Sequence, residues 1–190
     1  MARSTLDMTS RLAPLVLAHA NARGLDVAAL LAKHELPADL DWRSAGKLEV
    51  TLPLSKLTAL VDDVAATLKA PHFGLDVARS VQIGSYGVAE FLIRSATIVR
   101  GACENLVRFN ALMAPDLTFR FDDSGDEAVV ELGLPGVPDG MSRHHHEYAV
   151  YLIGKRLLQM VEGLTMKRLW FANSRPADVT ALVDEFGTAT

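Results

Sequence analysis

Apolar residues recur along the chain with two different periods, and the change between them marks how it is organised. The clearest helical stripe is Leu54, Leu57, Leu60, Val61, Val64 and Leu68, with Lys56, Asp62, Asp63 and Lys69 opposite. Steps of three and four residues place such positions on one face of a helix. Upstream, Leu12, Leu15, Val16 and His19 predict a helix within residues 5–23 that stops at Gly24. Residues 26–34 predict a short helix with Asp26 as N-cap, ended by Leu36-Pro37. Leu48, Val50 and Leu52 alternate, which predicts a short edge strand over 47–52 closed by Pro53. Beyond Pro71, helices are predicted over 73–80, 88–95 and 98–113. Thr97 is the expected N-cap of the last, which aligns Val99, Ala102, Cys103, Leu106, Asn110 and Met113 on one side.

After Pro115 the period falls to two. Leu117, Phe119 and Phe121 alternate with Thr118, Arg120 and Asp122, residues 122–126 carry turn chemistry, and 127–134 read as the returning strand. A Pro- and Gly-rich loop over 134–140 leads to a long predicted helix, 142–162, with Ala149, Leu152, Ile153, Arg156, Leu157 and Met160 on one face and Gly163 as its stop. Residues 165–172 predict a strand containing Met166, Leu169 and Phe171. Pro176 opens a final helix whose stripe is Val179, Leu182, Val183 and Phe186. The expected fold is α+β, mostly helical, with a small antiparallel sheet of three to four strands that includes a hairpin near 117–134.

Composition narrows the class. With 190 residues, 49% of them hydrophobic and 22% charged, the chain is long enough for one globular domain to bury its own core. The single cysteine, Cys103, allows no internal disulfide and suits a reducing cytoplasm. No apolar run approaches the roughly 20 residues needed to span a bilayer, so no membrane partner is expected. The net charge of −4 argues against this chain alone holding nucleic acid, because Lys and Arg contacts to phosphate supply most such affinity.

Candidate chemistry is sparse. His144-His145-His146-Glu147 opens the long helix, but adjacent histidines point about 100° apart and do not readily share one metal ion. The stretch reads as a polar first turn, with an effector-facing histidine or a metal ligand as the other readings, and Glu147 suits the positive helix start. Gly84 and Gly87 lack the Lys and Ser/Thr of a phosphate loop and read as a tight turn with close helix packing. Ser85 and Ser95 lie in no nucleophile elbow, and Cys103 sits on an apolar face. No catalytic residue, metal site or cofactor is expected.

The order of short motifs resembles the N-terminal regulatory domain of the arabinose-binding-domain branch of AraC-family bacterial transcription regulators. The resemblance runs from about Val27 to Gly187. It rests on Ala29 to Pro37, Leu52-Pro53-Leu54, His72-Phe73-Gly74-Leu75 with Ala78, Gly84 and Gly87, Ser95-Ala96-Thr97-Ile98, Arg108-Phe109, Glu147, Phe171 to Pro176, and Phe186-Gly187. Ala96, Phe109 and Asn173 depart from the family's Pro, Tyr and His. The resemblance implies one effector-sensing and dimerising domain over 1–190, with the helix-turn-helix DNA-reading part outside this chain. It implies an unknown small-molecule effector, a homodimer, DNA contact only through the missing part, and no enzymatic activity. A module that only dimerises, with no small ligand, is the alternative. Arg108 would either pair with Glu147 or another buried carboxylate, hold an anionic effector group, or lie in solvent. With it, Phe109, Met113, His145, Tyr148, Tyr151 and Phe171 are the expected effector-facing residues.

Overall fold

Asp26 caps the first short helix as its sequence requires: its carboxylate Oδ1 accepts the amide protons of Ala28 and Ala29 at 2.9 and 3.2 Å. The structure is a computed structural model, and residues 6–44, 49–136, 141–160, 164–174 and 176–188 are described. Lys47 and Leu48 of the expected strand, most of the 134–140 loop, the helix stop at Gly163, and Arg175 lie outside them. The chain divides into two compact units, Met1–Gln82 with Met141–Ala149, and Ile83–Gly140 with Val150–Thr190.

In the first unit, β1 (Asp7–Ser10) pairs antiparallel with β2 (Val50–Pro53), and Met8 stands opposite Leu52. Residues 7–10 were expected to be helical. They extend instead because burying Met8 against Leu52 with Thr9 turned outward is a period-two solution, and its partner strand is some 40 residues away. Helix α1 (Leu12–Ala22) follows, and Leu12, Ala13, Leu15, Val16, Leu17 and Ala20 are all buried. So broad an apolar surface suits a helix covered on several sides, and α1 packs on α2 (Val27–Lys33), α3 (Leu54–Thr67) and α4 (Phe73–Arg79). The stripe predicted for α3 is its buried face. Asp63 of α3 accepts from Lys33 Nζ at 2.7 Å and His34 Nε2 at 2.9 Å, tying the end of α2 to α3. The Lys33 hydrogen bond, then that of His34, hold the Asp63 carboxyl below the usual carboxylate range. Helix α7 (Arg143–Val150) enters this unit with its first seven residues.

The second unit holds α5 (Gly87–Arg94), α6 (Val99–Phe109) with a 3-10 turn over Asn110–Leu112, and the hairpin of β3 (Thr118–Asp122) with β4 (Val129–Gly133). The hairpin register opposes Phe119 to Leu132 and Arg120 to Glu131. The fold is α+β as expected, but among the described residues four strands form two separate two-stranded sheets instead of one. The N-cap of α6 is the extended Ile98, one residue beyond Thr97, and it makes no side-chain cap.

After α7 the expected long helix changes character: Tyr151–Lys155 is a π-helical turn, followed by the short α8 (Arg156–Leu158). Gly154 in that turn leaves room for Met166, whose Cε would lie 2.9 Å from an added Cβ. Residues 165–172 form no strand: Leu169 is buried, but Trp170 is exposed, and the segment is fixed by side chains such as Arg168 on Glu127 at 2.6 Å. Helix α9 (Thr180–Phe186) starts later than Pro176 and ends on Gly187 at φ 75°, a left-handed cap that favours glycine.

Removing the Asp26 side chain should leave two amide protons of α2 uncapped. The Asp26→Ala variant is expected to lose about 1 kcal/mol, read as a fall of roughly 2–4 °C in Tm by differential scanning calorimetry.

Candidate functional site

Glu147 is fully buried, at 0% exposure, on α7. A carboxylate removed from water must be hydrogen-bonded and charge-compensated to persist. His72, the residue before α4, donates from Nδ1 to Glu147 Oε1 at 2.9 Å, and His144 presents Nδ1 to Oε2 at 3.3 Å. A carboxylate only accepts, so both bonds call for a proton on the imidazole Nδ1. Arg143 Nη1 lies 3.3 Å from Oε1 and supplies the balancing charge. The stretch expected to be a polar first turn is thus an interior cluster, with His144, His145 and Glu147 all buried.

Backbone packing holds this cluster closed. Phe73 is fully buried, with its ring edge-to-face to His19 of α1 at 6.2 Å and to His144 at 6.4 Å. Gly74 lies directly against the α7 backbone: an added Cβ would overlap the His144 carbonyl oxygen and stand 2.8 Å from Glu147 Cβ. Close helix packing therefore belongs to Gly74. Gly84 and Gly87 have positive φ and open space around them, so they serve the turn alone. His19 accepts from Arg23 at 2.9 Å on Nδ1. Burial, then the neighbouring Arg23 charge, push its pKa down against the pull of Asp76.

His145 is 2% exposed, and its Nδ1 has no hydrogen-bond partner among the described residues. Burial, reinforced by His146, lowers its pKa from 6.5 to about 3.

The second unit repeats the device. Glu90 of α5 is buried and pairs with Arg156 of α8 at 2.7 Å, while its other oxygen accepts the amide protons of Gly84 at 2.9 Å and Tyr86 at 3.3 Å. The Arg156 guanidinium also lies 6.0 Å from the Tyr86 ring centre. Lys155 in the π turn bonds the Glu185 carbonyl at 2.8 Å, so consecutive bases engage two acids. Glu90 was not singled out from sequence, and His72 entered only as part of the His72-Phe73-Gly74-Leu75 motif, with no role assigned to it. The signal for Glu90 was its position, an acid on an otherwise apolar helix face.

Of the residues expected to face effector, His145 and Tyr148 are buried in the first unit. Arg108, Phe109, Met113, Tyr151 and Phe171 belong to the second. Phe109, Met113, Tyr151 and Phe171 are half-buried there, and Tyr151 meets the Phe186 ring edge-to-face at 6.4 Å. Arg108 is exposed, with its guanidinium 5.2 Å from the Phe109 ring centre, and Glu147 has the partners given above in place of Arg108. Cys103 is buried, and burial followed by the Glu104 charge raises its thiol pKa, so it is a core residue. Among the described residues, no group of three or more His, Cys, Asp and Glu side chains is placed to hold a metal ion. Among them, too, no helix is long and apolar enough to cross a membrane.

The model of the family described as the arabinose-binding domain of AraC transcription regulator, N-terminal, matches residues 24–190. The chain belongs to that family, whose class is the ligand-sensing regulatory domain. No curated protein matches the chain.

Two outcomes test the first cluster. Gly74→Ala should force α4 away from α7 and cost about 2–4 kcal/mol, in the range of overpacking with lost buried pairing. Urea unfolding midpoints would show it, whereas Ala at Gly125, which has open space, should shift the midpoint little. The second outcome concerns His145. Above pH 6.5 it is neutral in both folded and unfolded states and contributes no pH dependence. As pH falls from 6.5 toward about 3, the unfolded state binds a proton that the folded state refuses, so stability is lost. At pH 5 the loss amounts to about 2 kcal/mol. His145→Leu should therefore show a smaller drop in urea midpoint between pH 7.5 and pH 5 than the unaltered chain.

Proposed function

We propose that this chain is the effector-sensing and dimerising part of an AraC-type transcriptional regulator that works in the cytoplasm. The observation that carries the reading is membership of the arabinose-binding-domain family over residues 24–190. In this reading the chain performs no catalysis. A small molecule binds one arrangement of the chain better than another and shifts the population toward it. The shift is passed, as a coupling free energy, to a DNA-reading part carried elsewhere in the full regulator. Residues 1–190 also hold two copies together as a homodimer.

The half-buried Phe109, Met113, Tyr151 and Phe171 support effector contact in the second unit. Each keeps part of an apolar side chain on the protein and offers the rest, which is how ligand sites are lined. His145 and Tyr148 stand further from such a role because both are buried.

A thermal-shift screen of metabolites with this chain tests the reading. A true effector at about 100 times its Kd adds about 2.7 kcal/mol, which raises Tm by roughly 5–10 °C for a chain of this size. Phe171→Ala is expected to reduce that shift while leaving the unliganded Tm within a few degrees. A broad screen in which no compound raises Tm, together with promoter output from the full regulator that ignores the same compounds, would sink the effector reading and favour dimerisation alone.

A further inference from the structure

Ten large apolar side chains are exposed among the described residues, and six of them, Ile83, Val88, Phe91, Ile98, Val107 and Leu112, fall between residues 83 and 112. Single exposed apolar residues are ordinary, but a concentration on one pair of helices and their turns is what a docking face presents. Helix α5 packs on α6 and leaves Val88 and Phe91 open, at 72% and 71% exposure. On α6, Glu104, Val107 and Arg108 are exposed and share one stripe at steps of three and four, and Ala111 and Leu112 are exposed in the 3-10 turn that follows.

The charges on that stripe suggest what covers it. Arg100, one turn before Glu104, is already paired with Asp123. Glu104 and Arg108, a further turn apart, form no ion pair among the described residues, and the Arg108 side chain folds over Phe109 instead. A two-fold interface uses the same patch on both copies and so must be self-complementary. One acid and one base a helical turn apart, beside apolar residues, meet that condition when two helices cross antiparallel. A membrane or a nucleic acid would instead call for a uniformly basic face.

We propose that the exposed α6 face binds a second copy of this chain, with the two-fold axis beside Val107. Glu104 of each copy then meets Arg108 of the other, and Val107, Leu112 and the α5 residues Val88 and Phe91 supply the apolar contact. This rests on the homodimer reading above and names its surface. The aligned charges set the partner and the register, while the apolar groups supply most of the affinity.

Sedimentation equilibrium of the 190-residue chain and three charge variants tests the surface. All the substituted positions are exposed, so circular dichroism and Tm should match the parent. The parent chain is expected to dimerise. Glu104→Arg and Arg108→Glu should each raise the dimer Kd about tenfold or more, because like charges then face each other twice across the axis. The double exchange restores opposite charges and should return Kd to within about threefold of the parent. A dimer that ignores both single exchanges, or that the double exchange fails to restore, overturns the α6 surface and leaves the homodimer reading intact. A parent chain that stays monomeric across the concentration range overturns both.

Discussion

The buried carboxylate of Glu147 is the constraint around which the first unit is organised. Its burial is tolerable only because His72, Arg143 and His144 converge on it. Removing one partner would leave a charge or a polar atom stranded away from water, which costs far more than the paired arrangement yields. That asymmetry makes the cluster specific more than strong. His72 must precede α4, His144 must lie one turn before Glu147, and the two helices must approach closely enough for the bonds to close. Gly74 is the residue that allows the approach, and Phe73 fills the space between His19 and His144. The Phe73-Gly74 pair and the distant Glu147, which look unrelated in sequence, are thus parts of one packing solution.

Glu90 plays a comparable part in the second unit with a different geometry. One oxygen takes the Arg156 guanidinium and the other takes two backbone amides from the turn that begins at Gly84. The turn needs the positive φ of Gly84 and Gly87 to aim those amides at a single oxygen. Its glycines are therefore tied to an acid on the following helix. They cradle no ligand phosphate.

What the sequence made legible follows from the range of the interaction concerned. The stripe of α3, the Asp26 cap and the 117–134 hairpin depend on neighbours within a few residues or on one tight turn, and they stand where the periodicity put them. Strand β1 does not, because its extended form is dictated by Leu52 across the pair, while its own four residues sit beside a strongly helical run. The same reason separates residues 165–172 from a strand. Their apolar spacing is right, but a strand is defined by a partner ladder, and here side-chain bonds such as Arg168 on Glu127 do the fixing. The charge clusters were hardest to read. His144 and Glu147 drew notice as polar residues at a helix start, yet burial reverses the meaning of that polarity, and the residues packed on α7 come from α4, over 60 residues away in sequence. The effector-facing set is a different matter, since it came from resemblance and chemical type, and the fold distributes it between two units.

A sensor must couple binding to a choice between arrangements, and a ligand can move that balance only by its differential affinity for them. Clusters like that at Glu147 resist such a choice. Every bond there is mutual, so a shift that breaks one exposes the rest to the full desolvation penalty. On the proposed reading, the adjustable part is better sought where groups are incompletely committed. The π turn at Tyr151–Lys155 closes its backbone hydrogen bonds over one residue more than an α turn, a rare geometry that recurs at functional sites. Tyr151 opens that turn half-buried against Phe186, and Lys155 closes it on Glu185. A ligand that stabilised the wider turn would be favoured over one that did not by the difference between the two helical registers. The same segment leads straight into Arg156 and thus to Glu90 and the Gly84 turn. A change of register there would be felt at α5, where Val88 and Phe91 are exposed.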